Sequence, residues 1–241
     1  MTLAFRQIKR IDSGCVTYLV GSQETGECAI IDPLLDTEYV VEEAKKAGFA
    51  KITHVIDTHT HADHISGARS LARQFGLAGV HMHEKSGSKF KTIPVKDGQA
   101  IKLGNHELRF IYTPGHTYDH VCVLVDGSKL LTGDTMFIGD VGRIDLGGDA
   151  RDKSDRLYDS LRRLLELADS VEVYPTHVGA AHHLGNAKTS STIGYERTGN
   201  GALKALSDRE AFFKYMTEDW PPKPPDYQNI IRLNKGEVSV P

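Results

Sequence analysis

A chain of 241 residues that is 39% hydrophobic and 25% charged can bury one sizeable core. Its formal net charge of -3 gives no footprint for nucleic acid, and Lys and Arg are interspersed with Asp and Glu as on an ordinary solvated surface. The longest unbroken apolar run, Val121–Val125, is far too short to span a bilayer, and Met1–Arg6 lacks the apolar stretch of a secretory signal, so we expect a cytoplasmic protein without a membrane partner.

Val16–Val20 and Cys28–Ile31 read as a hairpin around Glu24-Thr25-Gly26-Glu27 that ends at Asp32-Pro33. Thr37–Ala47 follows as a helix with Val40, Val41, Ala44 and Ala47 on one face and Gly48 as its stop. The β-branched run Ile52–Asp57 reads as a buried strand. Ser66 is placed to cap a helix with the apolar face Ala68, Leu71, Ala72 and Phe75, closed by Gly76, and its positive end is expected to stabilise Asp63. Arg109–Tyr112, Lys129–Thr132 and Val171–Tyr174 read as strands, each ending at a Gly or Pro turn. Leu157, Leu161, Leu164 and Leu165 mark a helix over Asp155–Ala168, and Ser207 with Glu210 forms a capping-box pattern ahead of Phe212, Phe213 and Met216. Val16–Asp32 and Val121–Asp134 echo each other as hairpins ending on Asp, which suggests two similar halves. The Pro-interrupted segment Trp220–Tyr227 reads as extended. We therefore expect one domain over residues 1–241, with a short Pro-rich tail from about 220 to 241. Cys15, Cys28 and Cys122 are odd in number and scattered over strands, which fits buried thiols in a reducing compartment.

Chemistry concentrates in Thr58-His-Thr-His-Ala-Asp-His-Ile-Ser66, which brings His59, His61, Asp63 and His64 together just after a strand. Imidazoles with a carboxylate are a plausible set of ligands for a divalent metal. Three further strand ends deliver His116, Asp134 and His177 through turns at Gly115, Gly133 and Pro175. Alone, each is an ordinary turn or surface residue; four such strand ends in one chain are hard to assign to chance.

The set His59-x-His61-x-Asp63-His64, then His116, Asp134 and His177, resembles the metallo-β-lactamase fold superfamily over roughly Thr17–His177. The resemblance implies an α/β fold, a four-layer αβ/βα sandwich with the metal site at one edge of two sheets. It leaves the reaction open. In a dinuclear zinc hydrolase, His59, His61 and His116 would hold one ion and Asp63, His64 and His177 the other, with Asp134 bridging. Asp63 could also act there as general base, on a thioester or lactone. In an iron-dependent oxygenase, His59, His116 and Asp134 would form a two-His, one-carboxylate core for one Fe(2+), with His61, Asp63, His64 and His177 around it. A non-catalytic metal-binding protein is the third reading. The run Gly133–Leu146, with Leu157–Leu161, Val173–His177 and Ser191–Arg197, is similar to the persulfide dioxygenase branch of the superfamily. That similarity implies oxidation of the sulfane sulfur of glutathione persulfide, or of a related small persulfide, to sulfite. Its partners would be a thiol or persulfide and dioxygen, and a homodimer stays open. Val178–His183 and Thr198–Gly201 depart from that branch where the organic part of the substrate is expected.

Arg143, two residues before Asp145, reads either as a clamp for an anionic substrate or as a structural pair pinning its loop; Arg197 has the same two readings. His81 and His83 alternate as on a strand face, His120 is placed to pair with Asp119, and His182 and His183 fall in the loop after His177.

Overall fold

Alternation along the strands divides the apolar residues between two faces. In β2 (Val16–Ser22) and β3 (Glu27–Ile31), Val16, Tyr18, Val20, Ala29 and Ile31 join one buried cluster, while Leu19, Cys28 and Ile30 join another. In β9 (Val121–Val125) and β10 (Lys129–Gly133), Val121, Val123, Val125 and Leu131 enter the same cluster as Val16, and Cys122, Leu124 and Leu130 face the other way. Strands apolar on both faces need cover on both faces, and the sandwich follows.

The computed structural model describes residues 2–10, 13–179, 188–218, 220 and 222–239. Its first sheet holds β1 (Leu3–Lys9), β2, β3, β4 (Lys51–Ile56), β5 (Val80–His83) and β6 (Thr92–Val95) in chain order. The second holds β7 (Ala100–Leu103), β8 (His106–Tyr112), β9, β10, β11 (Glu172–Pro175) and β12 (Ser191–Thr192), also in chain order. α1 (Thr37–Lys46) and α2 (Ala68–Gln74) pack on the outer face of the first sheet through Val40, Val41, Ala44, Ala68, Leu71 and Ala72. α3 (Ala150–Leu164), α4 (Ile193–Gly199), α5 (Gly201–Lys204) and α6 (Arg209–Glu218) cover the second, with Leu157, Leu161, Ile193, Leu203 and Phe212 in its outer cluster. This is the expected αβ/βα sandwich. In each sheet an antiparallel hairpin is followed by a parallel strand: β4 beside β3, and β11 beside β10. The echo between Val16–Asp32 and Val121–Asp134 is this repeated arrangement.

Three boundaries differ from the sequence reading. α3 starts at Ala150, because Asp149 accepts hydrogen bonds from the Arg151 and Asp152 amides and caps it there. At α2 the cap position is Gly67, where a Cβ would meet the Leu34 carbonyl oxygen at 2.3 Å; Ser66 Oγ instead donates to Asp57 while accepting from the Ala68 amide. At α6, Asp208 rather than Ser207 accepts from the Ala211 amide.

The segment after Pro222 does not remain extended. α7 (Tyr227–Asn234) forms beyond it, and the Lys89 amide donates to the Lys235 carbonyl. Asn234, 7% exposed, is buried against the loop that carries His59 to His64. Its Nδ2 donates to the carbonyls of His61 at 3.0 Å and His64 at 2.8 Å, and its Oδ1 accepts from the Ser66 amide at 2.9 Å. Asn234→Ala strands these loop groups, each worth about 1–3 kcal/mol when buried and unpaired. We expect a loss of at least about 1 kcal/mol in urea unfolding; an unchanged midpoint would show that the loop holds its shape without the clasp.

Candidate metal centre

Five strand ends meet at one edge of the sandwich. Asp32 follows β3, His59 to His64 follow β4, His116 follows β8, Asp134 follows β10 and His177 follows β11. Their junction is a buried carboxylate: Asp32, 1% exposed, accepts from the Thr58 amide at 2.7 Å, Thr58 Oγ1 at 2.8 Å, Thr176 Oγ1 at 3.0 Å and His61 Nε2 at 3.2 Å. Burial opposes its charge, but His61 and the Thr58 donors hold the carboxyl below its usual range.

Four imidazoles near the centre, His59, His61, His64 and His116, each have one nitrogen fixed by the protein. Thr58 Oγ1 spends its proton on Asp32, so it accepts from His59 Nδ1 at 2.9 Å. His116 Nδ1 donates to the Arg143 carbonyl at 2.8 Å, His61 Nε2 to Asp32, and His64 Nδ1 to Asp63 at 3.0 Å. In the neutral rings these bonds leave lone pairs on His59 Nε2, His61 Nδ1, His64 Nε2 and His116 Nε2; against the pull of burial, Asp32 raises His61 and Asp63 raises His64 to about 10, so an ion at those two nitrogens would displace a proton. Three of those atoms, His59 Nε2, His61 Nδ1 and His64 Nε2, are buried without a hydrogen-bond partner. A buried lone pair with no donor is costly, and a cation is the partner that suits it. The residues present therefore fit a metal ion.

Two groups of donors emerge. His59, His116 and Asp134 each offer an atom within 4.8 Å of the others, with Asp134 Oδ2 at 3.9 Å from His59 Nε2 and 3.6 Å from His116 Nε2. Beside them stand Asp63, His64 and His177, joined by Cys15. His177 links the groups, donating from Nδ1 to Asp134 at 2.8 Å and from Nε2 to Asp63 at 2.9 Å. Burial works against every charge here, yet His177 between two carboxylates titrates well above the ordinary imidazole range, and Asp134 and Asp63 stay below theirs. Burial, with the neighbouring imidazoles, keeps His59 well below its usual value and also lowers His116. Neutral imidazole nitrogens beside an ionised carboxylate are the state in which ligands bind a metal.

His61 stands apart from the triad, grouped with Asp32 and Asp57, although its Nδ1 remains bare. Asp63 meets His64 and His177 rather than the end of α2. Arg143 pairs with Asp145 at 2.5 and 2.8 Å and donates to the Pro222 carbonyl, while Arg197 bonds Asp169 and the Leu165 carbonyl. The partners of Arg197 lie outside the metal groups. His81 meets His54, and His83 stacks on Tyr112, away from the centre. His120 accepts from the Asp134 amide and contacts Thr113 and Thr135; Asp119, its expected partner, instead accepts from Thr60. His182 and His183 lie outside the described residues. Asp32, Thr58, Cys15 and Asn234 were missed by sequence reasoning. Asp32 carried the same signal that marked Asp134, an Asp directly after an apolar strand.

A family model described as the metallo-beta-lactamase superfamily matches residues 10–177. A hydroxyacylglutathione hydrolase of Polaromonas sp. is 37% identical over 166 residues, which is 66% of this chain and only 60% of that protein's length. The mitochondrial persulfide dioxygenase ETHE1 of Bos taurus is 33% identical over 231 residues, 95% of this chain and 86% of that one. Among solved structures, ETHE1 from Myxococcus xanthus superposes with a TM-score of 0.86 at 29% identity, over 96% of this chain and 98% of that one. A Staphylococcus aureus metallo-beta-lactamase reaches 0.91 at 30% identity, over 98% of this chain and 73% of that one.

Two outcomes follow from this geometry. A Cβ at Gly142 would lie 1.8 Å from the Asp134 carbonyl oxygen and 3.0 Å from His116 Nδ1. Gly142→Ala should therefore displace both candidate ligands and weaken metal retention against a chelator about 10–100-fold, with circular dichroism preserved. Wild-type retention would overturn the placement of that arm. Burial lifts the Asp57 carboxyl from 3.8 to about 6, with Asp32 adding to the rise and His61 and Ser66 opposing it. A raised folded value means stability that is full below the unfolded value and lost as pH climbs through the folded one. Between about pH 4 and 6 the wild type should lose about 2–3 kcal/mol relative to Asp57→Asn. Parallel stability curves for the two proteins would refute it.

Proposed function

We propose that this chain, which belongs to the metallo-beta-lactamase superfamily, is an iron-dependent persulfide dioxygenase. The observation that carries the reading is the separate triad of His59, His116 and Asp134, two imidazoles and one carboxylate, while Asp63, His64 and His177 are hydrogen-bonded among themselves and to Asp134. That donor set suits a single ferrous ion with open positions. Likeness along nearly the whole chain to the Bos taurus protein named as persulfide dioxygenase ETHE1, and to ETHE1 from Myxococcus xanthus, supports it, whereas the Polaromonas hydrolase matches two thirds of this chain. Bound at the triad, iron would supply the place where a persulfide sulfur and dioxygen come together. One persulfide, one dioxygen and one water give one thiol, sulfite and two protons; the sulfane sulfur gives up four electrons to dioxygen, and the sulfur–sulfur bond breaks.

The protein's own contribution is orientation. Thr58 and the Arg143 carbonyl turn the lone pairs of His59 and His116 inward. His177 holds Asp134 ionised. Arg143, tied to Asp145 and Pro222, would then serve the site through the carbonyl it presents to His116. Glutathione persulfide is the proposed substrate, by analogy with the names of both sets of relatives.

A second reading, a dinuclear zinc hydrolase of a thioester or lactone, is favoured by the bare His61 Nδ1 and His64 Nε2, which would complete two ion sites. Metal analysis of anaerobically purified protein, joined to turnover under air and under argon, separates the readings. We expect about one iron per chain and sulfite that tracks oxygen consumption from glutathione persulfide. Two zinc ions with oxygen-independent cleavage of a glutathione thioester would replace the dioxygenase with the hydrolase. Bound metal without either turnover would leave a metal-binding protein. His116→Ala should abolish metal retention in either enzyme while leaving the fold intact.

A further inference from the structure

Between α2 and the residues that follow α7 lies a cavity of about 270 Å³, lined by Leu35, Ser66, Arg69, Ser70, Arg73 and Ser239. Five of the six side chains are polar, and the two that carry charge are both cations. Arg69 and Arg73 stand one turn apart on α2, so they share a face and repel each other. Among the described residues neither guanidinium has a carboxylate within 4.0 Å or a hydrogen-bond acceptor.

Arg69 is nevertheless held in place. Its guanidinium carbon lies 5.1 Å from the centroid of the Phe90 ring, and a Cβ at Gly236 would meet its Nη1 at 3.0 Å. Burial and the Arg73 charge pull the Arg69 guanidinium below its usual range, with Asp57 opposing them. Asp57 does not line the cavity: it is 4% exposed, and both its oxygens lie 2.9 Å from Ser66 Oγ. Ser66 spends its proton there, which leaves Ser70 and Ser239 to offer hydroxyls to the cavity.

We propose that this cavity binds a small, doubly charged oxyanion between Arg69 and Arg73, of the class that includes phosphate, a small phosphate ester and sulfite. Two cations match a double negative charge, and the planar fork of each guanidinium meets paired oxygens. The volume falls just under the roughly 300–1,000 Å³ of pockets for drug-sized ligands, which favours a small anion over a nucleotide. Ser66 links the cavity to the metal centre's loop: its amide donates to Asn234 Oδ1, and Asn234 Nδ2 donates to the carbonyls of His61 and His64. An anion here draws α2 towards the chain beyond α7 beside that clasp, and it stabilises the native state because the unfolded chain has no such site. The inference stands whichever reaction the metal centre runs.

The test is titration of sodium phosphate and of sodium sulfite into the metal-loaded protein, with sodium chloride holding ionic strength constant, read by calorimetry and by thermal unfolding. Oxyanions can also bind a metal ion, so the same titrations are made on protein stripped by a chelator and on His116→Ala. We expect one saturable equivalent per chain in the loaded and the metal-free protein, with a rise in Tm that chloride does not reproduce. Arg69→Gln and Arg73→Gln should each weaken it by at least about tenfold. Arg73 is exposed, so Arg73→Gln should fold and keep the wild-type metal content. Tighter phosphate would assign the site to phosphate or its esters, and tighter sulfite to sulfur oxyanions. No saturable binding, binding that disappears with the metal, or binding that survives both arginine substitutions would each overturn the proposal.

Discussion

Asp32 joins parts of the chain that are far apart in sequence. It is a buried carboxylate with a backbone φ of 51°, a left-handed conformation uncommon outside glycine that Asn and Asp adopt more readily than other residues. Such a residue persists only where its surroundings over-determine it. Here they do: Thr58, His61 and Thr176 donate to its side chain, and Thr17 Oγ1 donates to its carbonyl. The ends of β3, β4 and β11 are thereby fixed to one another, and β2 is drawn in through Thr17. Without a charge at this point the donors that follow β4 and β11 would be left in an apolar interior, each at a cost comparable to a lost hydrogen bond.

From Asp32 a chain of hydrogen bonds runs outward to the lone pairs. Asp32 takes the Thr58 proton, Thr58 then has to accept from His59 Nδ1, and His59 Nε2 is left bare. A second chain begins at the second sheet: His120 Nε2 accepts from the Asp134 amide, and Thr113 and Thr135 surround its other nitrogen. Burial presses the His120 value down to about 3, so the ring stays neutral and able to accept. Three rings go the other way: against the pull of burial, Asp32 raises His61, Asp63 raises His64 to about 10, and His177 is an imidazolium between two carboxylates whose charge lets both acids remain ionised at such close quarters. Ligand character is thus decided two bonds away from the ligand atoms.

The ligand candidates were legible because each follows an apolar strand and a turn, a local pattern that needs no partner to be seen. α1 was legible for the same reason, with its apolar stripe and the stop at Gly48, whose φ is 87°. The partners that orient the ligands were not, since they act across the fold: Thr176 lies 144 positions from Asp32, and Asn234 lies 173 from His61. α3 was cut short because its first turn, Ala150 to Lys153, carries no apolar stripe; its start is set by Asp149. Arg143 had two readings in the sequence, and the bidentate bond to Asp145 with the Pro222 contact agrees with the one in which it pins its loop.

The Asn234 clasp also imposes an order on synthesis. A chain emerging from the ribosome can pair β1 to β6 and close the first sheet early, since those contacts are local. The carbonyls of His61 and His64 nevertheless wait for a side chain made more than a hundred and sixty residues later. Until α7 arrives, the loop carries its imidazoles on a backbone with unmet hydrogen bonds, and any ion that reached it would meet a looser set of donors. The final shape of the loop therefore depends on a segment made long after its histidines, and it is completed only once α7 has packed against it.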